Sequence, residues 1–257
     1  MNIKGFDALA KHLPELRTVG GRIRLVVMGL SRFLLTTVYF IASDQIPTWT
    51  IDSSIVVMAL GFYFLSRMFT QKKALIEKYQ DEAYRAAVMR FALSGLAILF
   101  AMIVHIAYMG DPNKMKFTQG VFPTVIHVLG WYWLVVGLVL WIRSALTFGV
   151  DNLAWLYVYF PNEGRFVNAD IYGVLRHPVY AGVMRVGLGL ALLNSGIFAL
   201  SFMPFLPLGF FGWIRLVEEK DLIERFSDYA EYRKRTPAFW VKPQDIGKFF
   251  KFLITGN

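Results

Sequence analysis

The run "PVYAGVMRVGLGLALLNSGIFALSFMPFLPLGFFGWIRLV", Pro178 to Val217, decides the fold. A helix needs about 20 apolar residues to cross the hydrocarbon core of a bilayer, so this run is long enough for two crossings. Asn194, Ser195 and Gly196 offer a break between them, and Pro204 and Pro207 kink or interrupt the second half. The pattern predicts a tight helical hairpin whose two segments are short or irregular. Upstream, four more stretches at roughly 24–43, 51–69, 88–109 and 121–146 are each long enough to span. The expected fold is an all-α integral membrane protein of about six transmembrane segments, with five to seven as the range, the last two forming the hairpin and cytoplasmic helices following it.

Composition agrees. Of 257 residues, 56% are hydrophobic and only 18% charged, which fits no ordinary water-soluble domain. The 23 Phe, 12 Tyr and 7 Trp suit lipid-facing helices and interfacial belts. There is no cysteine, which excludes disulfides, thiolate metal sites and cysteine nucleophiles. The formal charge of +9 reads as cytoplasmic loops facing anionic lipid rather than as a nucleic-acid surface. The first residues show no compact apolar stretch with a small-residue cleavage site, so no cleavable signal peptide is expected.

Positive charge sets the orientation, because Lys- and Arg-rich loops stay in the cytosol. Lys4, Lys11, Arg17, Arg22 and Arg24 mark the N-terminus, where Leu9, Leu13 and Leu16 suggest a short amphipathic helix at the membrane surface. The 43–50 loop has no Lys or Arg, the 67–85 connection has five, and the 110–120 loop has two. Both termini and the "RHP" segment at Arg176–Pro178 are thus expected inside. The chain divides into an amphipathic segment (1–22), four transmembrane helices (23–150), a hairpin region with the chemistry (151–241) and a basic tail (242–257).

An ionisable side chain in a membrane segment is a functional candidate unless snorkelling explains it. In "YGVLRHPVYAG", 172–182, Pro178 suits the first turn of a helix. That places Arg176 and His177 at a helix mouth whose N–H groups favour a carboxylate or phosphate; both also read as simple markers of the interface. In "RLVEEKDLIERF", 215–226, Arg215 precedes Glu218 and Glu219 by three and four positions, so both acids can share its face. Alone, this is a helix leaving the membrane with ordinary surface pairs. Gly182, Gly187 and Gly189 indicate close helix packing or a glycine wall against a ligand. His105 and His127 read as packed core residues, Arg32 as a snorkelling or paired cation, and Arg143 with Asp151 as an interfacial pair. No metal or haem site is expected.

Together the two clusters resemble the C-terminal half of the isoprenylcysteine carboxyl methyltransferase and phospholipid methyltransferase superfamily, integral membrane enzymes that use S-adenosylmethionine. The resemblance covers roughly residues 160–241 and rests on "DIYGVLRHPVYAG" followed by "EEKDLIERFSDYAEYRKRTPAF". It departs at Asp170 and Ser227, where the family usually has Gly. It implies a cofactor pocket open to the cytosol between the "RHP" loop, the hairpin and the "EE" helix. Tyr172, Arg176, His177, Pro178, Tyr180, Gly182, Glu218 and Glu219 are the implied cofactor-binding residues, and S-adenosylhomocysteine the product left behind. The methionine carboxylate suits Arg176 or His177, its ammonium a glutamate.

Arg176, Arg185, Arg215 and Glu219 are the candidates for catalytic roles. The acceptor is expected to be a lipophilic or amphiphilic molecule arriving from the bilayer: an isoprenylcysteine-like carboxylate, a thiol or a phospholipid amine. Arg185, inside the fifth segment, favours an anionic acceptor group. Two rival readings remain: an NADPH-dependent membrane reductase of the steroid or sterol type, and a non-catalytic membrane scaffold. The tail "KPQDIGKFFKFLITGN" suits a surface anchor, or a gate beside the cofactor entrance.

Overall fold

The computed structural model describes residues 3–110 and 121–256; the two lysines expected in the 110–120 loop lie outside them. Every regular element among the described residues is helical. A short helix α1 (Phe6–His12) leads into the membrane segments α2 (Val19–Ser43), α3 (Thr50–Thr70), α4 (Lys72–His105), α5 (Val121–Phe148), α6 (Pro178–Asn194) and α7 (Ile197–Arg225). Five of these are long and apolar enough to cross a membrane, and α6 is the shorter apolar helix between them. Two small helices outside the bundle, α8 (Tyr229–Arg235) and α9 (Ile246–Thr255), complete the chain.

Helices α6 and α7 meet at Ser195 and Gly196. Ser195 takes a left-handed backbone (φ 57°) at the end of α6. The Asn194 side chain stitches the turn, accepting from Gly196 N (3.0 Å) and donating to the carbonyls of Ile106 and Met109 at the end of α4. Pro204 falls at the break between Ile197–Phe202 and Phe205–Trp213, so α7 is interrupted as expected. A wider turn with i→i+5 bonding over Ile214–Glu218 carries α7 into its last stretch.

Three local expectations are corrected. The first membrane helix starts at Val19, capped by the Thr18 hydroxyl accepting from Gly21 N (3.0 Å), so Arg22 and Arg24 belong to that helix and not to the amphipathic segment. The apolar face of α1 is not left to lipid: Leu9, Ala10 and Leu13 are buried in protein. Arg143 does not pair with Asp151. Its guanidinium donates to the carbonyls of Phe252 and Ile254, so it caps the end of α9, while Asp151 accepts from the Tyr157 hydroxyl. His105 is a buried core residue stacked on Phe40 (3.8 Å) with Asp44 Oδ2 at 3.0 Å. Arg32 donates to its own helix at the Met28 carbonyl (2.6 Å).

Helices α5 and α6 pack antiparallel along a seam of glycines. A methyl group on Gly182 would meet Trp141 N at 2.6 Å, one on Gly189 would meet Leu134 N at 2.6 Å, and one on Gly137 would meet Val186 N at 2.7 Å. Small residues let two backbones approach this closely in a membrane, where dispersion replaces the hydrophobic effect as the force between helices. Gly189→Val is expected to force the pair apart and destabilise the protein by about 1–3 kcal/mol, seen as a lower thermal midpoint in detergent. An unchanged midpoint would contradict the seam.

Candidate active site

The polar residues singled out in the sequence meet at one end of the bundle, around the side chain of Glu219, which is 2% exposed. Glu219 Oε1 accepts from Arg176 (Nη2 2.9 Å, Nε 3.1 Å) and from the Tyr229 hydroxyl (3.4 Å), and lies 3.3 Å from His177 Nε2. Its Oε2 meets Arg233 Nε at 3.2 Å and Arg215 Nη1 at 3.9 Å. A carboxylate removed from water loses several kcal/mol of solvation unless charges and hydrogen bonds replace it. Here three guanidinium groups from three different elements do so.

Glu218 has a different environment. The i→i+5 turn ends on it, and its side chain points into a cavity of about 490 Å³. Oε1 accepts from the Tyr180 hydroxyl (3.1 Å) and from Trp155 Nε1 (3.4 Å). Oε2 is buried without a hydrogen-bond partner, with His177 Nδ1 3.7 Å away. A buried carboxylate oxygen left open is costly, which makes it a natural contact for a donor that enters the cavity.

Three phenols complete the polar end. Tyr172 donates to the Ser144 carbonyl (3.3 Å), and Tyr232 donates to the Tyr172 carbonyl (2.5 Å). Burial pushes the Tyr229 hydroxyl well up, as do the Glu219 and Glu218 carboxylates beside it; burial does the same for Tyr172, with Tyr232 and Glu218 adding to it, and for Tyr232 against the opposing charge of Arg176. All three remain neutral donors.

Toward the bilayer the cavity continues as an apolar arm between α4, α5 and α6. On α6 it follows Val179, Val183, Val186 and Leu190, a length of about 16 Å at the helical rise. Leu96 and Phe100 of α4 and Leu138 of α5 line the arm and are partly exposed on the lipid-facing surface. The rings of Phe100 and Trp141 face each other across this gap at 6.5 Å.

Of the residues chosen from sequence, Tyr172, Arg176, His177, Pro178, Tyr180 and Glu218 line the cavity. Glu219 sits behind its wall. Gly182 does not line it, since that position is spent on contact with α5. Arg185 does not line it either: it faces away, donating to the carbonyls of Ala181 and Phe239 (both 2.9 Å). Arg215 is half-exposed on the outside of α7, touching the site only through Glu219. The expectation that Arg215 shares one face with both acids fails for Glu218, which the wider turn aims inward.

The sequence reading missed Trp155, Arg165 and Arg225 on the cavity wall and Arg233 on Glu219. Trp155 sits in the turn before the short helix Leu156–Tyr159, with a left-handed backbone (φ 51°) that no local pattern announces. Among the described residues, no group of three or more His, Asp and Glu is placed to hold a metal ion.

Asp170, the departure noted above, has φ 51° and ψ −128° at the start of the short helix Ile171–Val174. A side chain is strained there, and Gly is not.

Residues 125–229 match the model of the phospholipid methyltransferase family, part of the isoprenylcysteine and phospholipid methyltransferase superfamily. No curated protein and no solved structure matches the chain. The matched segment begins in α5 and ends at Tyr229, and therefore contains both glutamates, the "RHP" loop and the seam.

Two outcomes follow for stability. Glu219→Ala leaves Arg176 and its neighbours without their carboxylate and is expected to cost about 3–5 kcal/mol. Asp170→Gly is expected to stabilise by about 1 kcal/mol by relieving the backbone. Thermal unfolding of both variants beside the native protein checks them; a Glu219→Ala midpoint equal to the native one would remove the hub from the account.

Proposed function

We propose that this chain, carrying a phospholipid methyltransferase domain, is a membrane-embedded S-adenosylmethionine-dependent methyltransferase acting on a lipophilic or amphiphilic acceptor at the cytoplasmic face. The observation that carries the reading is one continuous cavity with a polar end at Glu218, His177 and the phenols and an apolar arm open to lipid between Phe100 and Trp141. The Lys- and Arg-rich N-terminus and 67–85 connection support a cytosolic location for the polar end.

The residues fit the cofactor. Glu218 Oε2, buried and without a hydrogen-bond partner, suits the ammonium of its methionine end, and Arg176 and His177 on the wall suit the carboxylate. Trp155, Tyr172 and Phe148 offer aromatic faces for the adenine. When bound, S-adenosylmethionine supplies a methyl group already activated by its sulfonium charge. The protein's task is then to align and to exclude water. The apolar arm aligns the acceptor by holding its hydrocarbon chain, leaving the head group at the polar end. Val179, Val183 and Phe210 keep water from that junction.

The preference for an anionic acceptor drawn from Arg185 loses its basis, because that cation is turned away from the cavity. The cations that do line it are Arg176, held by Glu219, Arg225, held by Asp221 (2.5 Å), and Arg165 at the mouth. An isoprenylcysteine-like carboxylate or a thiolate reacts without a base; a phospholipid amine would surrender its proton to Glu218, the carboxylate that faces the junction.

Calorimetry on the purified protein is expected to show S-adenosylmethionine and S-adenosylhomocysteine binding in the micromolar range. Glu218→Gln is expected to weaken that binding about tenfold, the loss of one charge-assisted hydrogen bond, with the thermal midpoint kept. Absence of binding to the native protein, or binding of NADPH in its place, overturns the proposal. Mass spectrometry of membranes with and without active protein then identifies the acceptor by its added methyl group.

A further inference from the structure

Arg185 lies in membrane segment α6, is 4% exposed and, among the described residues, pairs with no carboxylate. A bare guanidinium is costly to bury, so the surroundings must compensate it. Three rings do so in part: the guanidinium carbon lies 5.1 Å from the Trp240 ring centre, 5.6 Å from Trp133 and 5.9 Å from Phe249. These rings come from the segment after α8, from α5 and from α9. The rest comes from the Ala181 and Phe239 carbonyls, each accepting one arm of the fork at 2.9 Å.

The Phe239 contact is the last of a series. Four consecutive carbonyls after α8 are taken by the entry of α6. Thr236 O accepts from Arg176 Nη1, Pro237 O from Arg176 N (2.9 Å), Ala238 O from His177 N (3.2 Å) and Phe239 O from Arg185 Nη2. Residues 236–241 are thus an irregular strap laid along the mouth of α6. The N–H groups of Arg176 and His177 precede the helix and have no partner within it; the strap supplies their acceptors. Both residues reach the cavity wall from these pinned positions.

We infer that Arg185 is a positioning residue: by gripping the Phe239 carbonyl inside its ring of aromatic side chains, it fixes the strap, and through the strap the backbone of Arg176 and His177 at the cavity wall. It does not touch the cavity itself. The consequence for ligand binding rests on the reading of that cavity as a cofactor site; the consequence for the backbone does not. Lysine cannot replace it. An ammonium has no planar fork to serve two carbonyls while lying between rings.

The test is hydrogen–deuterium exchange on the full chain in detergent, for the native protein, Arg185→Met, Arg185→Lys and Trp240→Ala. Trp240 is half-exposed, so its loss opens one side of the aromatic enclosure in a chain that still folds if Arg185→Met does not. The Arg176 and His177 amides are expected to exchange about tenfold faster in all three variants, matching the loss of one grip on the strap, while amides of α3 and α4 keep their native rates. S-adenosylhomocysteine affinity is expected to fall by a similar factor. Native exchange at Arg176 and His177 in the variants overturns the inference, as does rescue by Arg185→Lys. Faster exchange with unaltered ligand affinity, in a protein that binds the ligand, also overturns the positioning role. If the native protein binds no ligand, the methyltransferase proposal falls, and the exchange rates alone decide the strap.

Discussion

The buried carboxylate of Glu219 is the constraint on which this end of the molecule depends. It lies at the end of a membrane segment, where water is scarce and an unpaired charge is costly. Arg176 before α6, Arg215 on α7 and Arg233 on α8 are separated along the chain yet converge on its two oxygens. His177 and Tyr229 complete the shell. The loop ahead of α6, the exit of α7 and the helix beyond the bundle are therefore tied at one point. The cavity wall they form is as rigid as that point, and the side chains that face the cavity inherit its order without Glu219 facing it.

Two adjacent acids divide the work because neighbours on a helix do not share a face. With the i→i+5 turn over Ile214–Glu218 ending on the first of them, one carboxylate enters the cavity and the other the arginine cluster. Such turns recur at functional sites because they re-aim one side chain without ending a helix.

The membrane segments were legible because their signal is additive: twenty apolar residues carry it whatever the neighbours do. The hairpin was legible for the same reason, with Asn194–Gly196 and Pro204 as breaks. The convergence of Arg176, His177 and the two acids was legible through a pattern, since the hairpin returns its second arm to the same end. What escaped depends on contact between elements far apart in sequence. Arg185 looked like a cation facing a ligand, and only the position of Phe239 and the three rings shows otherwise. Gly182 had a small side chain for one of two reasons, and the approach of Trp141 selects between them. Trp155 reaches Glu218 from a loop whose left-handed backbone has no sequence signature. Asp170 is the reverse case: the departure from glycine was visible, and its φ of 51° gives the reason glycine suits the position.

One helix sets both the shape of the site and its access to lipid. On α6, Gly182, Arg185 and Gly189 follow one another at spacings of three and four and meet α5 or the strap. Val179, Val183, Val186 and Leu190, at spacings of four, three and four, form the other face and line the apolar arm. The glycines bring α5 and α6 backbone to backbone, while α5 and α4 stay apart along the arm. That gap is what Phe100 and Trp141 narrow. A larger residue in the seam would part α5 from α6, two of the helices that line the arm, so the same packing that stabilises the pair also shapes the path a hydrocarbon chain would take between them.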